Sequence, residues 1–211
     1  MIIGASGFGR EVAWLVERIN KVKPTWNLLG FVDDNLDIQG CEVNGYPVVG
    51  TSFDVAQFPN SSFVCAVGSA RVREAIIQRV TEVNPKIQFA TVIDPTVEMS
   101  DYVTIGEGGI ICAHSIITTN ITIGNHVIVN LDCTIGHDAV LKDYVTVYPS
   151  VNISGNTVIG RCSELGTGMQ IIQGKSIGDR SIVGAGAIVV KDIPGKCTAV
   201  GSPARPIKFF E

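Results

Sequence analysis

The hydrophobic pattern of the chain changes period once, near Pro85. Before that point, short apolar runs alternate with helical stripes. Met1-Ile2-Ile3 reads as a strand that runs into a glycine-rich turn, Gly4-Ala5-Ser6-Gly7-Phe8-Gly9. Arg10 to Ile19 then places Val12, Leu15, Val16 and Ile19 on one helical face. A second strand is expected over Asn27 to Val32, stopping at Asp33-Asp34, and the Asn44-Gly45 pair predicts a hairpin. Ser62 to Val67 is a third apolar strand, followed by a helix from Ala70 to Val83. Strand, glycine turn, helix and strand predict a small parallel α/β sheet of Rossmann-like form over residues 1–86.

From Ile93 to Val189 every sixth residue is Ile, Leu, Val or Met, without an insertion. A short fixed period of this kind predicts a solenoid over residues 87–211, the last part being a C-terminal tail. The residue after the apolar one is often glycine (Gly106, Gly124, Gly136, Gly160), which predicts the turning point there. Four positions on, Ser115, Cys133, Ala139 and Thr157 are small or β-branched and suit a tight inner corner. The outward positions Ile110, Ile116, Ile128 and Val140 are apolar and need a cover.

Composition removes several classes of function. The chain has 211 residues, 45% hydrophobic and only 17% charged, which argues for a packed globular protein. A formal charge of −4 with scattered Lys and Arg offers no basic footprint for nucleic acid and no polybasic patch for a membrane. No run of eighteen apolar residues and no charged-then-apolar leader are present. The six cysteines form no C-x-x-C pair, so free thiols in a cytoplasmic protein are expected.

Histidine is the natural base near neutral pH, and the chain has three: His114, His126 and His137. His137 lies two residues after the inward Ile135, on an outward position, and Asp138 follows it. One eighteen-residue coil further on stands Gly155, so no side chain is expected above the imidazole. His114 and His126 lie three after their inward residues and are expected to carry no chemistry.

The repeats, together with GASGFGREV at the start, FVDD at Phe31 to Asp34, VGSARVREAI from Val67, and Gly201-Ser202-Pro203-Ala204-Arg205, resemble the hexapeptide-repeat acyltransferases. Within them the resemblance is to the sialic acid O-acetyltransferases and bacillosamine-type N-acetyltransferases. It implies a left-handed parallel β-helix, acetyl-CoA as co-substrate and a homotrimer with composite sites. It also implies His137 as catalytic base, Asp138 as the acid that orients it, and the Gly155 N–H as donor to the thioester carbonyl. Carried over by position, acetyl-CoA contacts are expected at Thr146, Gly155, Thr167 and Ala185, with Arg205 and Lys208 near its phosphates. Relatives usually have Glu where this chain has Asp138, and some have His where it has Thr146.

The resemblance further implies a UDP-linked sugar at the N-terminal domain. Its candidate contacts are Gly7, Phe8 and Gly9 at the start of the first helix. Asp33 and Asp34 follow the second strand, and Ser69 and Arg71 open the second helix. Carbonic anhydrases built on the same coil use three histidines, one pair five residues apart. The spacings here are twelve and eleven, so no metal is expected. N-acetylation of an amino-sugar nucleotide in glycan or capsule synthesis is the leading expectation. O-acetylation of sialic acid or another sugar hydroxyl, and a non-catalytic scaffold, are the alternatives.

Overall fold

The computed structural model describes residues 1–210. The N-terminal part holds strands β1 (Ile2–Ile3), β2 (Phe31–Val32), β3 (Glu42–Val43), β4 (Tyr46–Pro47), β5 (Ser62–Cys65) and β6 (Gln88–Phe89), with helices α1 (Gly7–Val22) and α2 (Ala70–Val83). A parallel sheet runs in the order β2-β1-β5-β6, and β3 and β4 form the expected hairpin. Its last strand ends three residues before the first strand of the coil, Val92–Ile93. α1 starts close against β1 because Gly9 has no side chain: a Cβ there would run into the Gly4 carbonyl oxygen.

The rest is a parallel β-solenoid. Seventeen two-residue strands, from Val92–Ile93 to Ile188–Val189, stack with partners eighteen residues apart, as Ile111 on Val129 and Val129 on Val147. Three sheets form the three faces of the prism. The six-residue series points inward and, from Ile111 onward, is fully buried. Ser115, Cys133, Ala139 and Thr157 are buried as well. The prism closes with an antiparallel pair, Cys197–Val200 with Arg205–Phe209.

The turning residue is not the one expected. Gly106, Gly124, Gly136 and Gly160 keep ordinary backbone angles, and they are small because a Cβ would strike the backbone one coil on. The left-handed residue comes three after the inward one, at every sixth position from Gly108 through His114, Asn120, His126, Asp132 and Asp138 to Gly186. Asn and Asp tolerate this conformation better than other residues with side chains.

The α/β part lies against one face of the prism. Val92, Ile110 and Ile128 point outward from the coil and are buried against Val12, Leu15 and Val16 of α1. Ile110 and Ile128 therefore find their cover within the chain, whereas Ile116 stays exposed and Val140 half-buried. Polar contacts fix the docking. Arg73, 1% exposed, donates to the carbonyls of His126, Tyr144 and Val145 in the coil and of Val67 and Gly68 beside α2. Burial lowers the pKa of this guanidinium. Glu74 pairs with Arg161 and Arg180; burial alone would raise its pKa, but the two arginines hold it below the usual range. Arg18 of α1 pairs with the buried Asp94 at 2.5 Å.

Candidate active site

His137 stands at an edge of the prism, just before the left-handed Asp138 (φ 58°). That turn brings the short Asp side chain back onto its neighbour, with Oδ2 2.8 Å from His137 Nδ1. A carboxylate can only accept, so Nδ1 carries the hydrogen and Nε2 keeps a lone pair. Both side chains are about half exposed.

Gly155 lies over the imidazole. A Cβ built on it would sit 2.6 Å from His137 Nε2 and 2.7 Å from Cε1. Its φ is ordinary, so space rather than backbone freedom requires glycine here. Gly155 is buried, yet its N–H meets no acceptor among the described residues. At another edge the equivalent groups are filled: Asn125 N–H donates to Asp143 and Arg161 N–H to Asp179. The open N–H flanks the lone pair of a base. A thioester with a carbonyl oxygen to place fits this cradle, which any larger residue would fill.

The other expected residues divide. Thr167 and Ala185 are exposed and share one edge with Ala113, Leu131 and Pro149, as the ladder Asp132→Ala113, Ser150→Leu131, Gly168→Pro149 and Gly186→Thr167 shows. His137 and Gly155 belong to the next edge, linked by Asn156→His137 and Gly174→Gly155. One chain therefore does not bring the two sets together. Thr146 is buried, and its hydroxyl donates to the Gly68 carbonyl at 2.7 Å, so it ties the coil to the α/β part. Arg205 and Lys208 are exposed on the last strand, Lys208 over the Phe210 ring.

At the N-terminal domain Gly7 and Phe8 open α1, and Ser6 makes no side-chain cap, so the first N–H groups are free of one. Asp33 braces this loop by accepting from Ala5 N–H at 2.8 Å. Asp34 accepts from Ser52 N–H and pairs with Arg79. Ser69 and Arg71 are drawn to the coil instead. Glu164 accepts from Ala70 N–H and lies 3.3 Å from Ser69 Oγ, so a carboxylate already sits at the start of α2. Arg71 donates to the Arg180 carbonyl and stacks on Phe210.

The docking residues Arg73 and Glu164 escaped sequence reasoning. Arg73 falls on the stripe Ala70, Ile77 and Val80 of α2, and a charge within an apolar stripe was its signal. His126 is buried with Nδ1 unpartnered, stacked on Tyr144 and edge-on to Phe89, and burial pushes its pKa down to about 4. The three histidines stand on three different edges, and no group of three or more His, Cys, Asp or Glu gathers among the described residues.

Residues 1–80 match the PglD N-terminal domain family. The chain is 32% identical over 216 residues to the GDP-perosamine N-acetyltransferase of Escherichia coli O157:H7, covering 98% of this chain and 95% of that one. It belongs to the PglD-type sugar acetyltransferases. Among solved members of that family, the acetyltransferase domain of PglB from Neisseria gonorrhoeae in complex with acetyl coenzyme A superposes with a TM-score of 0.89. The two are 34% identical, over 98% of this chain and 97% of that one. A mutant perosamine N-acetyltransferase from Caulobacter crescentus in complex with CoA and GDP-perosamine has a TM-score of 0.88 at 27% identity, over 98% and 95%. The solenoid of this PglD-type chain is accordingly the left-handed β-helix of its family.

Proposed function

We propose that the protein transfers an acetyl group from acetyl-CoA to the amino group of a nucleotide-linked sugar, with His137 as general base. The observation that carries this is the pairing of an oriented imidazole with the unpartnered N–H of Gly155 above it. His137 Nε2 takes the proton from the acceptor amine as it attacks the thioester carbon. Asp138 holds Nδ1–H and so fixes which nitrogen is the base. The Gly155 N–H supports the carbonyl oxygen as negative charge develops on it; the tetrahedral adduct then collapses with breakage of its C–S bond, and CoA leaves as the thiol with the proton that His137 holds. The relatives named for GDP-perosamine N-acetylation support an amine acceptor and a nucleoside-diphosphate handle. The open start of α1 at Gly7, Phe8 and Gly9, braced by Asp33, is where the diphosphate is read.

The donor set spans two edges, and a homotrimer about an axis parallel to the prisms unites them. Thr167 and Ala185 of one chain then face His137 and Gly155 of its neighbour, with Arg205 and Lys208 toward the phosphates of acetyl-CoA. No helix among the described residues is long and apolar enough to cross a membrane. A cytoplasmic enzyme of polysaccharide or glycan synthesis is the setting we infer.

Thiol release from acetyl-CoA tests the reading, with GDP- and UDP-linked 4-amino sugars and with free sialic acid. The wild type is expected to respond to a nucleotide amino sugar, and His137→Ala to lose about 100- to 10,000-fold in kcat. Release with sialic acid alone would transfer the function to hydroxyl acceptors. Equal rates for wild type and His137→Ala would overturn the mechanism.

A further inference from the structure

On the prism face that carries the α/β part, the outward column runs Ile110, Ile128, Thr146, Glu164 and Ile182. Thr146 and Glu164 are its polar members, and both are bound to the loop Gly68-Ser69-Ala70 that follows β5. Ser69 is the N-cap of α2, where a serine hydroxyl ordinarily accepts from a helical N–H. Here it makes no such bond. It donates instead to Glu164 Oε1 at 3.3 Å, and the Ala70 N–H donates to the same oxygen at 2.9 Å. Glu164 Oε2 accepts from the Tyr148 hydroxyl at 3.1 Å. A carboxylate can only accept, so one side chain draws in the hydrogens of both hydroxyls. Burial, then the charge of Glu164, pushes the Tyr148 phenol up to about 12, and it keeps the hydrogen that it donates.

What the two hydroxyls have left to offer is lone pairs. Ser69 and Tyr148 are half-buried, so each keeps part of its surface open. Their loop borders the glycine turn before α1, since a Cβ on Gly4 would come 3.3 Å from Val67 Cγ2. Tyr148 stands immediately before Pro149, which shares an edge of the prism with Leu131 and Thr167. In a trimer about an axis parallel to the prisms, rotation leaves heights along that axis unchanged. His137 comes six residues after Leu131 and twelve before Pro149, in a coil of eighteen. At about 4.8 Å per coil, a neighbour's His137 stands about 3 Å from the level of Pro149. The two hydroxyls thus fall between the proposed diphosphate seat and the proposed base, the span that the acceptor's sugar ring must fill.

We propose that Ser69 and Tyr148, polarised by Glu164, read the acceptor sugar by accepting from its O–H or N–H groups, and that phosphate oxygens are refused there. This rests on the reading that a nucleotide-linked amino sugar is the acceptor and that neighbouring chains share the site. A phosphate oxygen brings only lone pairs to two oxygens that have no hydrogen to give, with a carboxylate behind them. A sugar hydroxyl or amine brings the hydrogen that is missing. Glu164 is a positioning residue in this arrangement, because it acts through the direction in which the two hydroxyls point.

The test uses steady-state kinetics with the GDP- or UDP-linked 4-amino sugar that the wild type binds. It is paired with calorimetric titration of that nucleotide sugar and of the nucleoside diphosphate alone. Ser69→Ala and Tyr148→Phe are each expected to raise the acceptor KM about three- to tenfold, the worth of one neutral hydrogen bond, and to leave the acetyl-CoA KM unchanged. Ser69→Thr, which keeps the hydroxyl, is expected to restore the loss. Glu164→Gln still accepts from the Ala70 N–H but puts an amide N–H where a carboxylate oxygen stood, which turns one hydroxyl around. It is expected to raise the acceptor KM at least as far as the loss of that hydroxyl does. Affinity for the nucleoside diphosphate alone is expected to stay the same in every variant. If Ser69→Ala weakens the diphosphate as much as the nucleotide sugar, the proposal is overturned and Ser69 reads phosphate. An acceptor KM unmoved in both Ser69→Ala and Tyr148→Phe overturns it as well and leaves the acetyltransferase reading standing. Binding of the nucleotide sugar without turnover sinks the acetyltransferase reading instead, and the calorimetric difference between the two ligands then decides the role of the hydroxyls by itself.

Discussion

Gly155 and His137, eighteen residues apart in sequence, are stacked so closely that a single added carbon on the first would lie 2.6 Å from Nε2 of the second. The lone pair that removes the acceptor's proton and the N–H that receives the carbonyl oxygen are therefore set by one spacing of the coil. Gly155→Ala keeps the N–H, but its methyl would displace the imidazole and fill the thioester cradle, and it is expected to cut kcat/KM by about 100-fold or more, the scale of losing a general base. Because φ at this position is ordinary, the variant is expected to fold with an unchanged circular dichroism spectrum. Steady-state kinetics beside the spectrum would decide it; near-wild-type turnover would mean that the space above His137 does no chemistry.

Much of this architecture was legible because the coil repeats. The inward series from Ile93 to Val189 and the pairing of His137 with Gly155 both follow from counting by six and eighteen. The position of the turn was misjudged for a physical reason. Glycines such as Gly136 mark close backbone approach, while the left-handed turn falls on residues such as Asn120, Asp132, Asp138 and Asn156. Their enrichment at that position was the readable signal. What covers an outward Ile110 was not readable, since the pattern along a strand does not say whether α1 or a second chain packs there. The bond from the Thr146 hydroxyl to Gly68 of the docked domain was not readable either. The local period carried the coil; the long-range docking of one part on the other lay outside it.

Arg73 is predicted to hold the two parts together. Replacing it with Met relieves a desolvated charge but leaves the carbonyls of Val67, His126 and Tyr144 without a donor, while Gly68 keeps the Thr146 hydroxyl and Val145 the Ile128 N–H. Unpaired buried acceptors cost about 1–3 kcal/mol each, and water entering the gap serves some of them. A net loss on the order of 3 kcal/mol is expected in denaturant titration. Arg73→Lys, with three donors at one point, is expected to fall between the two. A variant with Met as stable as the wild type would show that the apolar contacts of α1 alone secure the docking.

His126 gives the fold a defined acid sensitivity. Desolvation, then the charge of Arg73, depresses its pKa from 6.5 to about 4, against a smaller opposing pull from Asp143. Between those values the unfolded chain binds a proton that the folded chain refuses. Stability from this group is therefore fully present above pH 6.5 and is lost as pH falls toward 4, by up to about 1.4 kcal/mol per pH unit. His126→Asn keeps a residue that accepts the left-handed φ of 54° while removing the titration. Unfolding free energies measured from pH 7 to 4 are expected to fall more steeply for the wild type than for this variant. Parallel curves would mean that His126 is not held neutral.

The separation of the two edges makes the assembly testable through activity itself. His137→Ala disables the catalytic edge, and Ala185→Trp fills the exposed edge where the donor is expected to lie. Each homogeneous variant is expected to be inactive. When the two are refolded together in equal amounts, a site is intact wherever an Ala185→Trp chain supplies His137 and its neighbour, a His137→Ala chain, supplies the open edge. Random mixing makes that combination about a quarter of all sites, so about a quarter of wild-type activity should return. Two edges serving one site within a single chain would give no recovery at any mixing ratio. Light scattering on the mixture fixes the number of chains, and a trimeric mass with no recovery would separate the assembly from the chemistry.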